Sequence, residues 1–270
     1  MITQDSSDAE VAAAAARAGA EVVRALHGQR LDRIDKGGGD YATTADLAAE
    51  RAILAVLRAA RPDDAVLGEE SGRTGAAGAR RTWLVDPLCG TLNYGVGNRL
   101  VAVNVALRDG SAAAVADPYE DEVLSTDGVR ARGAGGRLLE PTAATRLVDV
   151  NLDPPFPGAP GFRAVDLLAH PGFTAGFRPR VVSTTLALAW VADGKRAAYV
   201  TDGGDLSGSV HFAAGIALCR AAGCVVTGLD GTPLGEGRAA PGLLAAADPA
   251  THARLLAMIR ETGRRHPDRP

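Results

Sequence analysis

The stretch that most constrains this chain is Trp83-Leu84-Val85-Asp86, followed at once by Pro87, Cys89, Gly90 and Thr91. It is a short apolar run that stops on an acid and then meets turn-forming residues. A second run, Ala65-Val66-Leu67, likewise gives way to Glu69-Glu70. Apolar strands ending in carboxylates are how a site at the C-terminal ends of strands reads in an α/β sheet.

The flanking sequence supplies helices and further strands. Ser7 and Glu10 form a capping box ahead of an alanine-rich run, predicting a helix to about Leu26 with Gly28 as its stop. Thr44 is expected to cap a second helix through Leu47, Ile53, Leu54 and Leu57, ended by Pro62. Val101–Leu107 and Ala112–Ala116 flank Asp109-Gly110, a hairpin signal, and Glu122–Thr126 extends the sheet. The first half therefore reads as two helices followed by a mostly antiparallel sheet. Asn151–Pro160, with four prolines, reads as a loop or lobe junction. Beyond it a strand at Arg180–Val182, a helix at Thr185–Ala192, a strand at Ala198–Val200, a helix at Val210–Ala222, a strand at Cys224–Val226 and a last helix at Pro249–Thr262 are expected, then a polar tail. This is a layered α/β chain, read as an N-terminal α+β lobe (1–150, with Glu69 and Asp86) and a C-terminal α/β lobe (151–270, with His211) in one compact unit.

Composition removes several functional classes. At 46% hydrophobic residues and a net charge of -3, the chain is neither disordered nor a basic nucleic-acid binder, so no nucleic-acid partner is expected. Three cysteines cannot staple 270 residues. Neither a signal peptide nor an uninterrupted apolar run of about 18 residues is present, so a cytoplasmic chain without a membrane partner is expected.

Four segments concentrate acids and small polar residues: Asp40–Asp46, Gly68-Glu69-Glu70-Ser71-Gly72, Trp83–Tyr94 (WLVDPLCGTLNY) and Val210-His211-Phe212-Ala213-Ala214-Gly215. In this order, with Ser183-Thr184-Thr185 between them, they resemble the inositol monophosphatase family of the fructose-1,6-bisphosphatase-like superfamily, over nearly the whole chain. The resemblance implies an αβαβα sandwich and an Mg²⁺ phosphomonoesterase acting on a small polar or phosphorylated metabolite, commonly as a homodimer. It assigns Glu69, Asp86 and the Leu88 carbonyl to a first metal, and Asp46 and Thr91 to orienting the attacking water. Gly90 and Thr91 match the phosphate cradle, and Thr184 and Asp202 lie near positions that contact substrate.

Two positions depart from the family pattern, which has aspartates where this chain has Cys89 and His211; both belong to the second metal position, with Asp86. Three readings follow. The site has decayed, leaving a residual metal-dependent phosphatase or a non-catalytic ligand-binding protein. Alternatively, Asp86, Cys89 and His211 form an O, S, N set that suits Zn²⁺ better than Mg²⁺. In the third reading, Cys89 is a nucleophile served by His211 for acyl transfer or other covalent chemistry, with no metal required. The reading preferred on sequence makes Cys89 and His211 the reactive centre, supported by Asp86, Thr91, Glu69 and Asp46. Cys219 and Cys224 are expected to be packing residues.

Overall fold

The computed structural model describes residues 2–152, 162–235 and 240–264. Most of the expected proline-rich junction (153–160) and the polar tail (265–270) lie outside them. The chain divides into two packing units. Unit 1 comprises residues 1–138, 184–186 and 210–218, and unit 2 the remainder. The boundary drawn near residue 150 is thus crossed by two short segments, and the His211 segment packs in unit 1.

Unit 1 opens with helix α1 (Asp8–Leu26), whose capping box is the one expected: Ser7 N–H donates to Glu10 Oε2 at 2.8 Å and Glu10 N–H to Ser7 Oγ at 3.3 Å. Its buried stripe is almost all small: Val11, Ala12, Ala15, Ala16, Gly19, Ala20 and Val23. Small residues let the backbone approach closely. A Cβ on Gly19 would lie 2.8 Å from Ile53 and 3.0 Å from Val103.

Strands β1 (Arg33–Gly37) and β2 (Asp40–Thr43) then form an antiparallel hairpin. Gly37, Gly38 and Gly39 make its turn at φ of 89°, 64° and 88°, a region glycine enters freely. Helix α2 (Thr44–Ala60) follows. Its cap is Thr43, not Thr44: the Thr43 N–H donates to Asp46 Oδ2, so Asp46 itself completes the capping box.

The sheet of unit 1 is built from β3 (Ala65–Gly68), β4 (Gly72–Thr74), β5 (Thr82–Cys89), β6 (Ala102–Leu107), β7 (Ala113–Asp117), β8 (Glu122–Thr126) and β9 (Ala131–Arg132), in the order β4-β3-β5-β6-β7-β8-β9. A short helix α3 (Thr91–Gly95) sits between β5 and β6. Strands β3 and β5 are parallel, with Gly68 opposite Val85, so Glu69, just past β3, comes beside Asp86 within β5. β5 is buried from Trp83 to Leu88. The hairpin expected at Asp109-Gly110 joins β6 to β7, with Gly110 at φ 74° and the Ser111 N–H bound to Asp109 Oδ1. Helices α1 and α2 pack together and against this sheet through Ile53, Leu57, Trp83, Val85, Val103 and Val105.

Unit 2 holds a five-stranded sheet, β11-β10-β12-β14-β13, made of β10 (Leu147–Asn151), β11 (Arg178–Val181), β12 (Ala198–Asp205), β13 (Val225–Thr227) and β14 (Pro241–Ala246). Its helices are α4 (Ala164–Leu168), α5 (Pro171–Gly176), most of α6 (Leu186–Ala192), the end of α7 (Ala213–Ala222) and α8 (Pro249–Arg264). Val148, Val150, Leu167, Phe173, Val200, Leu244, Leu255 and Ile259 form its core. Cys219 and Cys224 are buried here, with the Cys219 thiol donating to the Leu188 carbonyl, a packing role as expected. The chain is a mixed α/β fold, as its sequence implied. No helix among the described residues is long and apolar enough to cross a membrane.

Candidate active site

The residues that matter lie within unit 1, at the ends of β3 and β5. Gly68 explains the first of them. A Cβ there would sit 2.6 to 2.8 Å from the carboxylate of Glu50. With only hydrogen at that point, Glu50 accepts the Glu70 N–H and the Ser71 N–H, each at 2.9 Å. The turn that presents Glu69 is thereby pinned to helix α2. Glu69 adds its own N–H to the Val85 carbonyl at 3.0 Å. Lys36, from β1, reaches over with its ammonium 2.8 Å from Glu69 Oε1 and 2.7 Å from Glu70 Oε1.

Asp86 is fully buried at the turn of β5. Its Oδ1 accepts the Leu88 N–H at 3.1 Å, and its Oδ2 lies 2.8 Å from His211 Nδ1 and 3.4 Å from Asn104 Nδ2. The same His211 nitrogen is 3.8 Å from Glu69 Oε2. Burial and the Asp86 charge push the Glu69 carboxyl well above the usual carboxylate range. Burial pulls His211 down, but Asp86 and Glu69 outweigh it and hold the imidazole at about 9. The cluster is two crowded carboxylates neutralised by an imidazolium and Lys36.

A second arm runs through Asp46 and Thr91. Thr91 Oγ1 lies 2.9 Å from Asp46 Oδ1 and 3.1 Å from the Leu88 carbonyl oxygen. Asp46 Oδ2 takes both the backbone N–H and the hydroxyl of Thr43, at 2.7 and 2.6 Å. Burial raises the Asp46 carboxyl, and these hydrogen bonds pull it partly back. The turn into Thr91 is made by Gly90 at φ 103°, a left-handed conformation.

Cys89 ends β5, beyond an irregularity in the β5–β6 register between Asp86 and Cys89. Its Sγ accepts the Thr185 N–H at 3.3 Å. Asn104 Nδ2 binds Thr185 Oγ1 at 2.9 Å, so one amide touches both Asp86 and the residue that binds Cys89. His211 stands just before α7, which begins at Ala213 and not at Val210. Donor atoms of Asp86, Cys89 and His211 all lie within 4.8 Å of one another.

The arrangement does not support the expectation of a Cys89 nucleophile. Burial, then the Asp86 charge, push the thiol well above its ordinary range, with Glu69 adding to the effect. A nucleophilic thiolate needs net positive surroundings. Here the His211 Nδ1 is bound to Asp86, so the positive charge is spent on carboxylates.

Thr184, buried, uses its hydroxyl to accept the Leu186 N–H at the start of α6. Asp202 is in unit 2, on β12, where it accepts from Arg163 Nε at 2.7 Å and from the Ala164 N–H at 2.8 Å. Sequence reasoning passed over Lys36, Glu50 and Asn104. Glu50 shares a helix with Asp46 one turn away, and Lys36 is one of only two lysines, next to a triple-glycine turn; nothing marked Asn104 within β6.

The profile of the inositol monophosphatase family matches residues 4–264. An inositol-1-monophosphatase of Mesorhizobium japonicum is 36% identical over 214 residues, 75% of this chain and 77% of the relative. A probable inositol 1-monophosphatase, ImpA, of Mycobacterium tuberculosis is 33% identical over 258 residues, 88% and 89% of the two chains. The Nus factor SuhB of Pseudomonas aeruginosa is 34% identical over 241 residues, 82% of this chain and 85% of that one. Among solved structures, the extragenic suppressor protein SuhB of Bartonella henselae superposes with a TM-score of 0.78 at 25% identity, covering 93% of this chain and 98% of its own. With a family match along almost the entire length and relatives above 30% identity, the chain belongs to the inositol monophosphatase family.

Proposed function

We propose that this chain is a divalent-cation-dependent phosphomonoesterase that hydrolyses a small sugar or inositol phosphate. The observation that carries the reading is the approach of Glu69 and Asp86 to one imidazole nitrogen, at 3.8 and 2.8 Å, together with a Thr91 hydroxyl bonded to Asp46. A bound metal ion would take over the positive charge that His211 and Lys36 supply to Glu69 and Asp86. Glu69, Asp86 and the Leu88 carbonyl offer only hard oxygens, the donor set that fits Mg²⁺. Such an ion, when bound, supplies a water of lowered pKa and polarises the phosphate oxygens.

The chain's own residues would do the rest. Thr91 Oγ1 gives its hydrogen to Asp46 Oδ1, which leaves its lone pairs to accept a proton from an approaching water. Asp46, raised by burial, is suited to share that proton. The oxygen of water bonds to phosphorus, the ester P–O bond breaks, and the proton ends on the departing alcohol. Gly90 and Thr91 are assigned to hold phosphate, and Thr184 to line the substrate. Asp202, paired with Arg163, has no part in the reaction in this reading.

Phosphate release from a panel of inositol and sugar monophosphates, with Mg²⁺ and after chelation, tests the proposal. Turnover that needs a divalent ion is expected, and Asp46→Asn should lower kcat by roughly 10²- to 10⁴-fold. Absence of release from every ester with Mg²⁺, Mn²⁺ and Zn²⁺ overturns it.

A further inference from the structure

We infer that Asp86, Cys89 and His211 form a binding site for a borderline divalent ion, Zn²⁺ in class, and not for a second Mg²⁺. The role of that ion in hydrolysis rests on the phosphomonoesterase reading; the site itself does not.

The donor chemistry is the first argument. One carboxylate oxygen, one thiol sulfur and one imidazole nitrogen lie within 4.8 Å of one another. Mg²⁺ demands oxygen ligands and holds its waters, so sulfur and nitrogen serve it poorly. Zn²⁺ and its neighbours bind all three donor types, at about 2.0 to 2.3 Å. Tetrahedral bonds of those lengths separate donors by roughly 3.3 to 3.8 Å, so the widest pair would close by up to about 1 Å and the Asp86–His211 pair would open by about 0.5 Å. Asp86 and His211 are hydrogen-bonded at 2.8 Å, and an ion bound between them would displace that proton to solvent.

The supporting contacts are the second argument. Ligands that hold a metal are themselves fixed by outer hydrogen bonds. Asp86 is tied through Oδ1 to the Leu88 N–H, and Cys89 Sγ already accepts a backbone N–H from Thr185. Asn104 links these two, reaching Asp86 Oδ2 and Thr185 Oγ1. Three protein donors also leave one tetrahedral position open. Closed four-ligand sites are structural, whereas a three-ligand site admits water or a phosphate oxygen. Asp86 is common to this set and to the all-oxygen set with Glu69, so one carboxylate would bridge a soft-donor ion and a hard-donor ion.

The test is anaerobic titration of the metal-free, full-length protein with Co²⁺, followed by absorption. Expected is one equivalent giving intense visible bands of a four-coordinate ion together with a near-ultraviolet sulfur-to-cobalt band. Cys89→Ser should abolish the sulfur band. His211→Ala should weaken Co²⁺ binding by more than about 100-fold, beyond the loss typical of an outer contact. Zn²⁺, but not millimolar Mg²⁺, should displace the cobalt. A sulfur band that persists in Cys89→Ser would place the ion on Cys219 or Cys224 and overturn the inference, as would wild-type protein that shows no sulfur band at saturating Co²⁺. The wild-type spectrum needs no variant to fold and no turnover. Protein with the cobalt–sulfur band that hydrolyses no ester keeps this inference and loses the phosphatase reading. Protein that hydrolyses esters with Mg²⁺ and lacks the band does the reverse.

Discussion

Glu50→Gln isolates the contact that builds the Glu69 turn. In the wild type both carboxylate oxygens of Glu50 are used, one on the Glu70 N–H and one on the Ser71 N–H, each at 2.9 Å. Glutamine keeps one acceptor and turns an NH₂ group toward the other N–H. One charge-assisted hydrogen bond is lost and the other is weakened, at about 1.5 to 3 kcal/mol for a bond to a charged group. Some of this is returned, because the Glu50 charge also opposes ionisation of Glu70. A net cost of about 2 kcal/mol remains, and for a chain of this size it should lower Tm by roughly 4 to 8 °C. Differential scanning fluorimetry at pH 7.5 measures it. Gly68→Ala supplies the second leg of a cycle, since its Cβ must displace the same carboxylate. If both act through one contact, the double variant will lose less than the sum of the single losses. A Glu50→Gln Tm within about 1 °C of wild type, or strict additivity with Gly68→Ala, would refute the account.

Three further expectations follow from other contacts. His252, on α8, is held below its ordinary range by burial and then by Arg260. Its neutral form is favoured in the fold, so the fold carries no penalty from it above about pH 6.5 and loses stability as pH falls below that value; His252→Asn should flatten the decline of Tm between pH 7 and pH 5, and an unchanged slope would count against it. Tyr94 donates to the Val23 carbonyl at the end of α1 at 2.8 Å, so Tyr94→Phe should cost about 1 kcal/mol in denaturant unfolding, and no loss would mean water replaces that bond. Because the Cys89 thiol is pushed up by burial and Asp86, iodoacetamide at pH 7.5 should modify the folded protein far more slowly than the urea-unfolded chain, as read by mass spectrometry; equal rates at Cys89 would contradict that environment.

The parts legible in sequence were those decided by neighbours along the chain. The Ser7–Glu10 box and the Asp109-Gly110 turn depend on residues a few positions apart, and each stands where it was expected, whereas the strand through Trp83–Asp86 runs on to Cys89. The misplaced helix starts, Thr43 for Thr44 and Ala213 for Val210, are end effects of one to three residues, where local preference is weakest. The hairpin β1–β2 went unseen because β1 is exposed throughout and shows no apolar alternation.

The sequence by itself determined the family and the residue types at the site. It did not decide what those residues do to one another. Whether Cys89 is a nucleophile depends on the net charge around it, and that charge is set by Asp86, by Glu69 and by an imidazole 125 positions from Asp86. Asp202 became half of an ion pair with Arg163 because β12 and the start of α4 pack together. The roles of Glu50, Lys36 and Asn104 are set by partners 18 to 81 positions away. Electrostatics acts through space, over a few ångströms, and only the folded chain fixes which charges come that close.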